Sequence, residues 1–378
     1  MRNATLKPAI RQNIVKYQIV KNMNSRIIYP SVTSPLAALD RLLKSKRYAD
    51  SHKYMLFDEN TGEACLPRVV NDVESLQNAT FFEIPAGEES KSIEVAKQLW
   101  ISLLDEKADR NSVIINIGGG CVSDVGGFVA AGYKRGIRYI NVPTTLVGMV
   151  DAAIGGKTAV NMNGIKNAVG FFHMPEAVCI EPDFLDTLPE REIRCGVFEM
   201  MKTLLLTSQE GVNHLESIVH TSDHLRGASL IELISQCADF KNTVVKADAK
   251  ETSVRKILNL GHTFAHGIES MTLGSLSHGE AVGLGMACAL YLSVRKLGLS
   301  EKIYDDYVGF MTHLMPVESF SLRQIETVVQ YMHNDKKSRG EDVCCVLLRD
   351  YAEPVIDVEV NDNELRDALI HLAKHRGI

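Results

Sequence analysis

The feature that most constrains this chain is an alternation. Between residues 54 and 180, short β-branched runs take turns with stretches of helical periodicity. Tyr54–Asp58, Thr80–Ile84, Ser112–Ile117, Tyr139–Val142 and Val178–Ile180 read as strands, and Ser92–Glu106 reads as a helix. Strands separated by helical segments pair in parallel and need helices on both faces of their sheet. The pattern changes after Pro182. Leu188-Pro189-Glu190-Arg191-Glu192 puts proline and acids where a first helical turn accepts them. From there 190–207, 209–220, 227–250, 255–271, 278–298, 300–314 and 321–333 read as helices. A late hairpin is expected at Val343–Leu348 and Glu353–Val360, and a final helix at Asp362–Lys374. The predicted architecture is an α/β domain with a mostly parallel sheet over 1–183, then a helical domain over 184–378. Residues 1–25 fit a strand pair or an extension equally.

Composition narrows the function classes. Of 378 residues, 45% are hydrophobic and 23% charged, which is ordinary for a globular chain. The net charge of −6 comes without a basic block, so nucleic acid is not an expected partner. The longest apolar run, near Ala281–Val294, is too short to span a bilayer. The N-terminus has no continuous apolar stretch of the secretory kind. Eight cysteines show no CxxC spacing, and most sit among apolar residues, as buried thiols do in a reducing cytoplasm.

Several motifs carry chemistry. Gly118 to Gly127 follows a strand and opens a helix. Glycines there let backbone approach a phosphate, and the helix N-terminus favours negative charge. Ser123 stands at the third glycine of GxGxxG, so a plain strand–helix turn is an equal reading. Pro85-Ala86-Gly87-Glu88-Glu89-Ser90-Lys91 is a turn whose Glu88 can accept from ribose hydroxyls and whose Lys91 can meet phosphate. A solvated turn is the bland reading. Gly155-Gly156-Lys157-Thr158 resembles the tail of a P-loop, but Asp151 occupies the upstream glycine position, which disfavours triphosphate binding. Lys157 amid small residues, followed by Lys166-Asn167, points to a phosphate or carboxylate pocket.

The helical half holds the densest signal. Glu199 and Lys202 share a helix face and interrupt an apolar segment, as a buried ion pair or a metal-ligating carboxylate would. His262 and His266 are four apart, and His278 opens the next apolar segment. Arg255 and Asn259 lie just upstream. Imidazoles converging from two helices suit zinc or another borderline metal, and HxxxH lacks the glutamate of HExxH, which disfavours a metalloprotease.

In order along the chain, PxGExxK, GGG…D, VPTT, DxxxGGKTxxN, KN, ExxK, LNLGHTxxHxIE and HGE resemble the dehydroquinate synthase family of sugar-phosphate cyclases, from about residue 54 to 348. The resemblance implies an NAD-binding α/β domain, a helical domain and an active site in the cleft. It implies zinc or cobalt held by Glu199, His262 and His278, rather than by the pair His262 and His266. Catalytic roles would fall to Asp151, Lys157, Lys202, Lys241, Arg255, Asn259 and His266. Phosphate and carboxylate contacts would extend to Arg135, Lys166, Asn167 and Lys336. NAD would meet Asp58, Glu88, Lys91, Gly119, Gly120, Asp124, Thr144 and Thr145. The family reaction turns 3-deoxy-D-arabino-heptulosonate 7-phosphate into 3-dehydroquinate and phosphate, a shikimate-pathway step toward aromatic amino acids. A cytoplasmic homodimer acting on a phosphorylated sugar acid is implied.

The chain departs from the family pattern at Ala265 and Gly267, which exchange the usual small residues around His266, at Thr203, and at Phe171 to Pro175. Relatives that make aminodehydroquinate, 2-deoxy-scyllo-inosose or valiolone-type cyclitols share the implied fold and cofactors. Valiolone-type relatives tend to lose the equivalents of Asn259 and His266, and this chain keeps both. A metal-dependent alcohol or glycerol dehydrogenase is the runner-up. It predicts net NADH production, and the lysines 157, 166, 202 and 241 argue instead for a phosphorylated substrate.

Overall fold

Val113–Gly118 is apolar enough to be buried along its whole length, as a central parallel strand must be when helices cover both faces. The computed structural model describes residues 25–29, 34–221, 225, 227–315, 321–334 and 343–374. The expectation for the N-terminal extension, apart from Ser25, and that for Lys336 fall outside these residues. The strands up to residue 180 are β1 (Arg26–Ile28), β2 (Lys53–Asp58), β3 (Thr80–Ile84), β4 (Val113–Gly118), β5 (Arg138–Pro143), β6 (Lys157–Met162), β7 (Ile165–Phe172) and β8 (Ala177–Cys179). Six of them form one sheet in the order β1-β8-β5-β4-β2-β3, every pair parallel. The expected strands are therefore present, each within a residue or so of its predicted bounds.

Parallel strands bring all their carboxyl ends to one edge, where ligands of open α/β sheets collect. Asp58 ends β2, Gly118 ends β4 and Pro143 ends β5, with Gly118 paired to Pro143. The helix Gly120–Gly132 starts at that edge and returns the chain to the opposite one.

β6 and β7 form a separate antiparallel hairpin that the strand reading did not include. Asn163 and Gly164 link them, with φ of 51° and 78°. Two positive values in a two-residue loop match the twist of a hairpin, and Asn-Gly is the pair that adopts them most readily.

The expected helix 255–271 is two elements. Val254–Asn259 is a 3-10 turn and His262–Thr272 is the helix proper. Gly261 separates them at φ 78°, and a Cβ there would stand 2.8 Å from the Met286 backbone nitrogen. Glycine is required both for the left-handed backbone and for the close approach. The other expected helices are present, as is the hairpin β9 (Val343–Leu348) with β10 (Pro354–Val360).

The described residues form two compact units. One takes residues up to Ile193 and those from 225 to Lys250; the other takes Arg194 to 221 and everything from Glu251 onward. The helix Gly227–Ala247 thus belongs with the parallel sheet, a return that a single cut at 183/184 does not express. Tyr29 Oη donates to Asp239 Oδ1 of that helix at 2.6 Å. No described helix is long and apolar enough to cross a membrane.

Candidate functional site

Three side chains of the helical unit converge. Glu199 is fully buried on the helix Glu190–Leu205, His262 begins the helix His262–Thr272, and His278 begins the helix His278–Leu297. Glu199 Oε1 lies 3.3 Å from His278 Nε2 and 3.6 Å from His262 Nε2. One ligand atom from each residue falls within 4.8 Å of the others, and this is the one such group among the described residues. Neither oxygen of Glu199 has an aligned hydrogen-bond donor, although Lys202 Nζ stands 2.6 Å from Oε2. The Lys202 ammonium thus compensates Oε2, while Oε1 is left facing the two imidazole nitrogens, where a bound metal ion would complete its surroundings.

The outer nitrogens are engaged as metal-binding imidazoles require. His262 Nδ1 donates to the Leu260 carbonyl at 3.2 Å, and His278 Nδ1 faces Glu269 Oε2 at 3.4 Å. Both leave Nε2 toward Glu199. Burial opposes ionisation of Glu199, but Lys202, His262 and His278 outweigh it and hold its pKa well below the usual carboxylate range. Burial and the Lys202 charge push His262 well down, so it is neutral and able to donate a lone pair. Burial also opposes the charge on His278, but Glu199 and Glu269 reverse this and lift it to about 10. One carboxylate and two imidazoles, with outer carboxylate and carbonyl partners, form a donor set that fits zinc or cobalt.

Close packing sets this geometry. A Cβ on Gly279 would meet the Cys195 Cα and carbonyl oxygen, both at 2.4 Å, and one on Gly283 would meet the Phe198 ring at 2.8 Å. Of the three ligand-bearing helices, those of Glu199 and His278 therefore touch backbone to backbone beside the site. Ser277 caps the second helix by accepting from the Glu280 nitrogen, and the Glu280 carboxylate accepts from the Ser277 nitrogen at 2.8 Å.

The α/β unit assembles a second polar group. Lys91 Nζ lies 2.8 Å from Asp124 Oδ2 and donates to Asn167 Oδ1 at 2.7 Å. Asn161 ties the group together: its amide donates to Glu88 Oε1 at 2.9 Å and its oxygen accepts from the Asn167 nitrogen at 2.8 Å. Gly119 precedes the helix Gly120–Gly132 without a Cβ because one would stand 2.8 Å from Thr145 Cγ2. The Thr144 nitrogen donates to the Gly118 carbonyl at 3.1 Å. Glu88, Lys91, Gly119, Gly120, Asp124, Thr144 and Thr145 are thus gathered near the carboxyl edge of the sheet. Asp58 ends β2 at the same edge, where its Oδ1 caps the next helix by accepting from the Thr61 nitrogen at 2.8 Å.

Lys241 Nζ lies 2.8 Å from Asp151 Oδ1 and donates to the Asp151 carbonyl at 2.7 Å, joining two expected residues 90 positions apart. Lys157 and Lys166 are exposed on the hairpin. Arg255 is buried in its 3-10 turn, and Asn259 donates to Glu251 and to the Lys256 carbonyl. The His266 ring lies 5.8 Å from that of His262 and 6.4 Å from that of His278, centroid to centroid. Arg135 is the exception. It is exposed in the turn after Gly132, at the opposite edge of the sheet from the glycine turn. Two contributors went unassigned from sequence, Asn161 and Glu269. Both were in view as the last residues of DxxxGGKTxxN and LNLGHTxxHxIE.

The N-terminal profile of 3-dehydroquinate synthase matches residues 81–195, and the C-terminal profile matches residues 196–338. A 3-dehydroquinate synthase from Parabacteroides distasonis is 36% identical over 343 residues, spanning 90% of this chain and 96% of that protein. The crystal structure of a 2-deoxy-scyllo-inosose synthase complexed with carbaglucose-6-phosphate, NAD+ and Co2+ shares the fold. Its TM-score is 0.81 at 23% identity, over 92% of this chain and 97% of that one. A 2-epi-5-epi-valiolone synthase from Streptomyces hygroscopicus subsp. jinggangensis, with NAD+ and Zn2+ bound, gives 0.81 at 25% identity, over 94% and 99%. The architecture is that of the sugar-phosphate cyclases. Within that class, the chain belongs to the 3-dehydroquinate synthase family.

Proposed function

We propose that this chain converts 3-deoxy-D-arabino-heptulosonate 7-phosphate into 3-dehydroquinate and phosphate, with NAD and a divalent cation. The similarity to 3-dehydroquinate synthases along nine-tenths of the chain supports the product. The observation that carries the chemistry is the buried Glu199 carboxylate, faced by two imidazole Nε2 atoms and lacking an aligned donor.

Bound NAD would accept and return one hydride, and the cation would polarise a substrate oxygen as a Lewis acid. The protein's residues do the rest. Glu199, His262 and His278 hold the cation, and Lys202 keeps Glu199 ionised. Glu88, Lys91, Asp124, Gly119, Gly120, Thr144, Thr145 and Asp58 form the NAD side. Asp151, paired with Lys241, orients substrate hydroxyls. Lys157, Lys166, Asn167, Lys241, Arg255, Asn259 and Lys336 hold phosphate and carboxylate, Arg135 being too far from the glycine turn to join them in the same subunit, and His266 moves a proton at a ring nitrogen. Oxidation at C5 acidifies the neighbouring C–H, and phosphate, held by cationic side chains, can take that proton as it leaves. Reduction then restores the alcohol, the ring opens and an aldol addition closes the carbocycle. A cytoplasmic homodimer completes the proposal, with NAD bound within 1–183 and the metal held within 184–378, both stretches supplying residues for the substrate. None of the eight cysteines, all of them described, forms a disulfide, which supports a reducing compartment.

Phosphate release from the sugar acid, with catalytic NAD and zinc, tests the reading. One phosphate per dehydroquinate, without NADH accumulation and abolished by Glu199→Gln, is expected. Net NADH would support a dehydrogenase instead. Turnover of an amino analogue or another sugar phosphate alone would support a different cyclase.

A further inference from the structure

The cation site has a feature that its three ligands do not explain. Glu269 is 8% exposed, yet its carboxylate is turned to the outer nitrogen of His278, with Oε2 3.4 Å from Nδ1. It rides on the same helix as His262, seven residues on. Seven residues are about two helical turns, so His262, His266 and Glu269 form one stripe, at spacings of four and seven. That stripe faces the start of the helix His278–Leu297. One helix therefore supplies a ligand and also grips the ligand supplied by the next.

We propose that Glu269 is a positioning residue of the cation site, holding His278 Nδ1–H so that Nε2 is presented beside Glu199. His262 is fixed by a backbone carbonyl that no side-chain change can remove. His278 begins its helix with two-fifths of its side chain exposed, and Glu269 provides the corresponding hold. An imidazole whose outer N–H meets a carboxylate is fixed in one tautomer and is a more basic donor. The inference rests on the metal reading above, but not on the substrate.

The test titrates Co2+ alone into metal-free, full-length protein, followed by visible absorption and by competition with a chelator. Glu269→Ala should bind Co2+ about 10–100-fold more weakly, with a changed absorption band. Glu269→Asp, whose carboxylate falls short of Nδ1, should weaken binding by a similar factor. Glu269→Gln keeps an acceptor at the original reach and should recover most of the affinity. Alanine binding within about threefold of wild type with an unchanged band, a loss well below the usual range for such partners, would overturn the role. Equal affinities for Asp and Gln would overturn it too, and that pair still decides if the alanine variant does not fold. No saturable Co2+ binding by the wild type would remove the cation site and this role together. Normal Co2+ binding without phosphate release from the sugar acid would overturn only the proposed reaction.

Discussion

Lys91 Nζ lies 2.8 Å from Asp124 Oδ2, and this contact organises the carboxyl edge of the sheet. Lys91 is 5% exposed, and about a fifth of the Asp124 side chain is. Burial raises the pKa of Asp124 even with the ammonium beside it, and Glu88 adds to the rise. Burial works against the charge on Lys91 as well, but Asp124 and Glu88 overcome it and raise its pKa. Each charge is tolerable because the other is present.

Lys91→Ala should therefore destabilise the protein, because it leaves a largely buried carboxylate without its cation. Breaking such a pair costs about 3 kcal/mol. Urea unfolding would measure it, and a loss below about 0.5 kcal/mol, the size expected of a surface pair, would show that the contact is not structural. NAD affinity should fall in the same variant, since the Asn167 and Asp124 partners lose their anchor.

Cys121, the residue after the three glycines, should be unreactive in the native protein. Burial and the nearby Glu88 carboxylate push its thiol up to about 12, with Lys91 only partly opposing them. At pH 8 only about one thiol in ten thousand would be ionised, and the thiolate is the nucleophile. Native alkylation mapped by mass spectrometry should leave Cys121 unlabelled until the chain is denatured. Labelling at the rate of a free thiol at pH 8 would contradict this environment.

The parts of the fold readable in advance were those with a strong period. β4 showed as an apolar β-branched run and β2 as a short apolar and aromatic one, and the terminal helix Asp362–Lys374 had the bounds expected of it. The β6–β7 hairpin was missed although Asn163-Gly164 announced it, because β7 is mostly exposed and lacks an alternating apolar face. The break at Gly261 was hidden because apolar spacing continues through Leu258 and Leu260 before it and Phe264 and Ile268 after it. Within the site, residues close in sequence, such as Glu199 with Lys202, were recognisable from helical spacing. Lys241 with Asp151 was not, because only the folded chain brings together residues from separate elements.

Gly279 sits where no side chain fits. Its Cβ would lie 2.4 Å from backbone atoms of Cys195, which cannot swing aside as a side chain can. Gly279→Ala should cost about 3 kcal/mol, the upper end for overpacking. It should also weaken cation binding, because the adjacent residue His278 must move with the helix. Thermal unfolding with and without Co2+ separates the two effects. A variant with wild-type stability and cation affinity would mean that the helices can part without disturbing the site.

Cation loading should expel a proton. In the metal-free protein His278 holds its proton up to about pH 10, because Glu199 and Glu269 flank it and outweigh burial. A bound cation needs the Nε2 lone pair, so the proton must leave. The folded pKa lies above the unfolded value, near 6.5. The stabilisation from charged His278 is therefore fully present below about pH 6.5 and is lost as the pH rises through about 10. Glu199 has the opposite sign: its depressed pKa contributes stability above the ordinary carboxylate range that is lost on acidification. The metal-free protein should thus lose thermal stability between pH 7 and 10, while cation affinity climbs by up to about tenfold per pH unit over the same window. Calorimetric titrations at pH 8 in two buffers of different ionisation enthalpy should report about one proton released per ion. A heat independent of the buffer would show that His278 is already neutral in the empty site, and that the two carboxylates do not hold its proton.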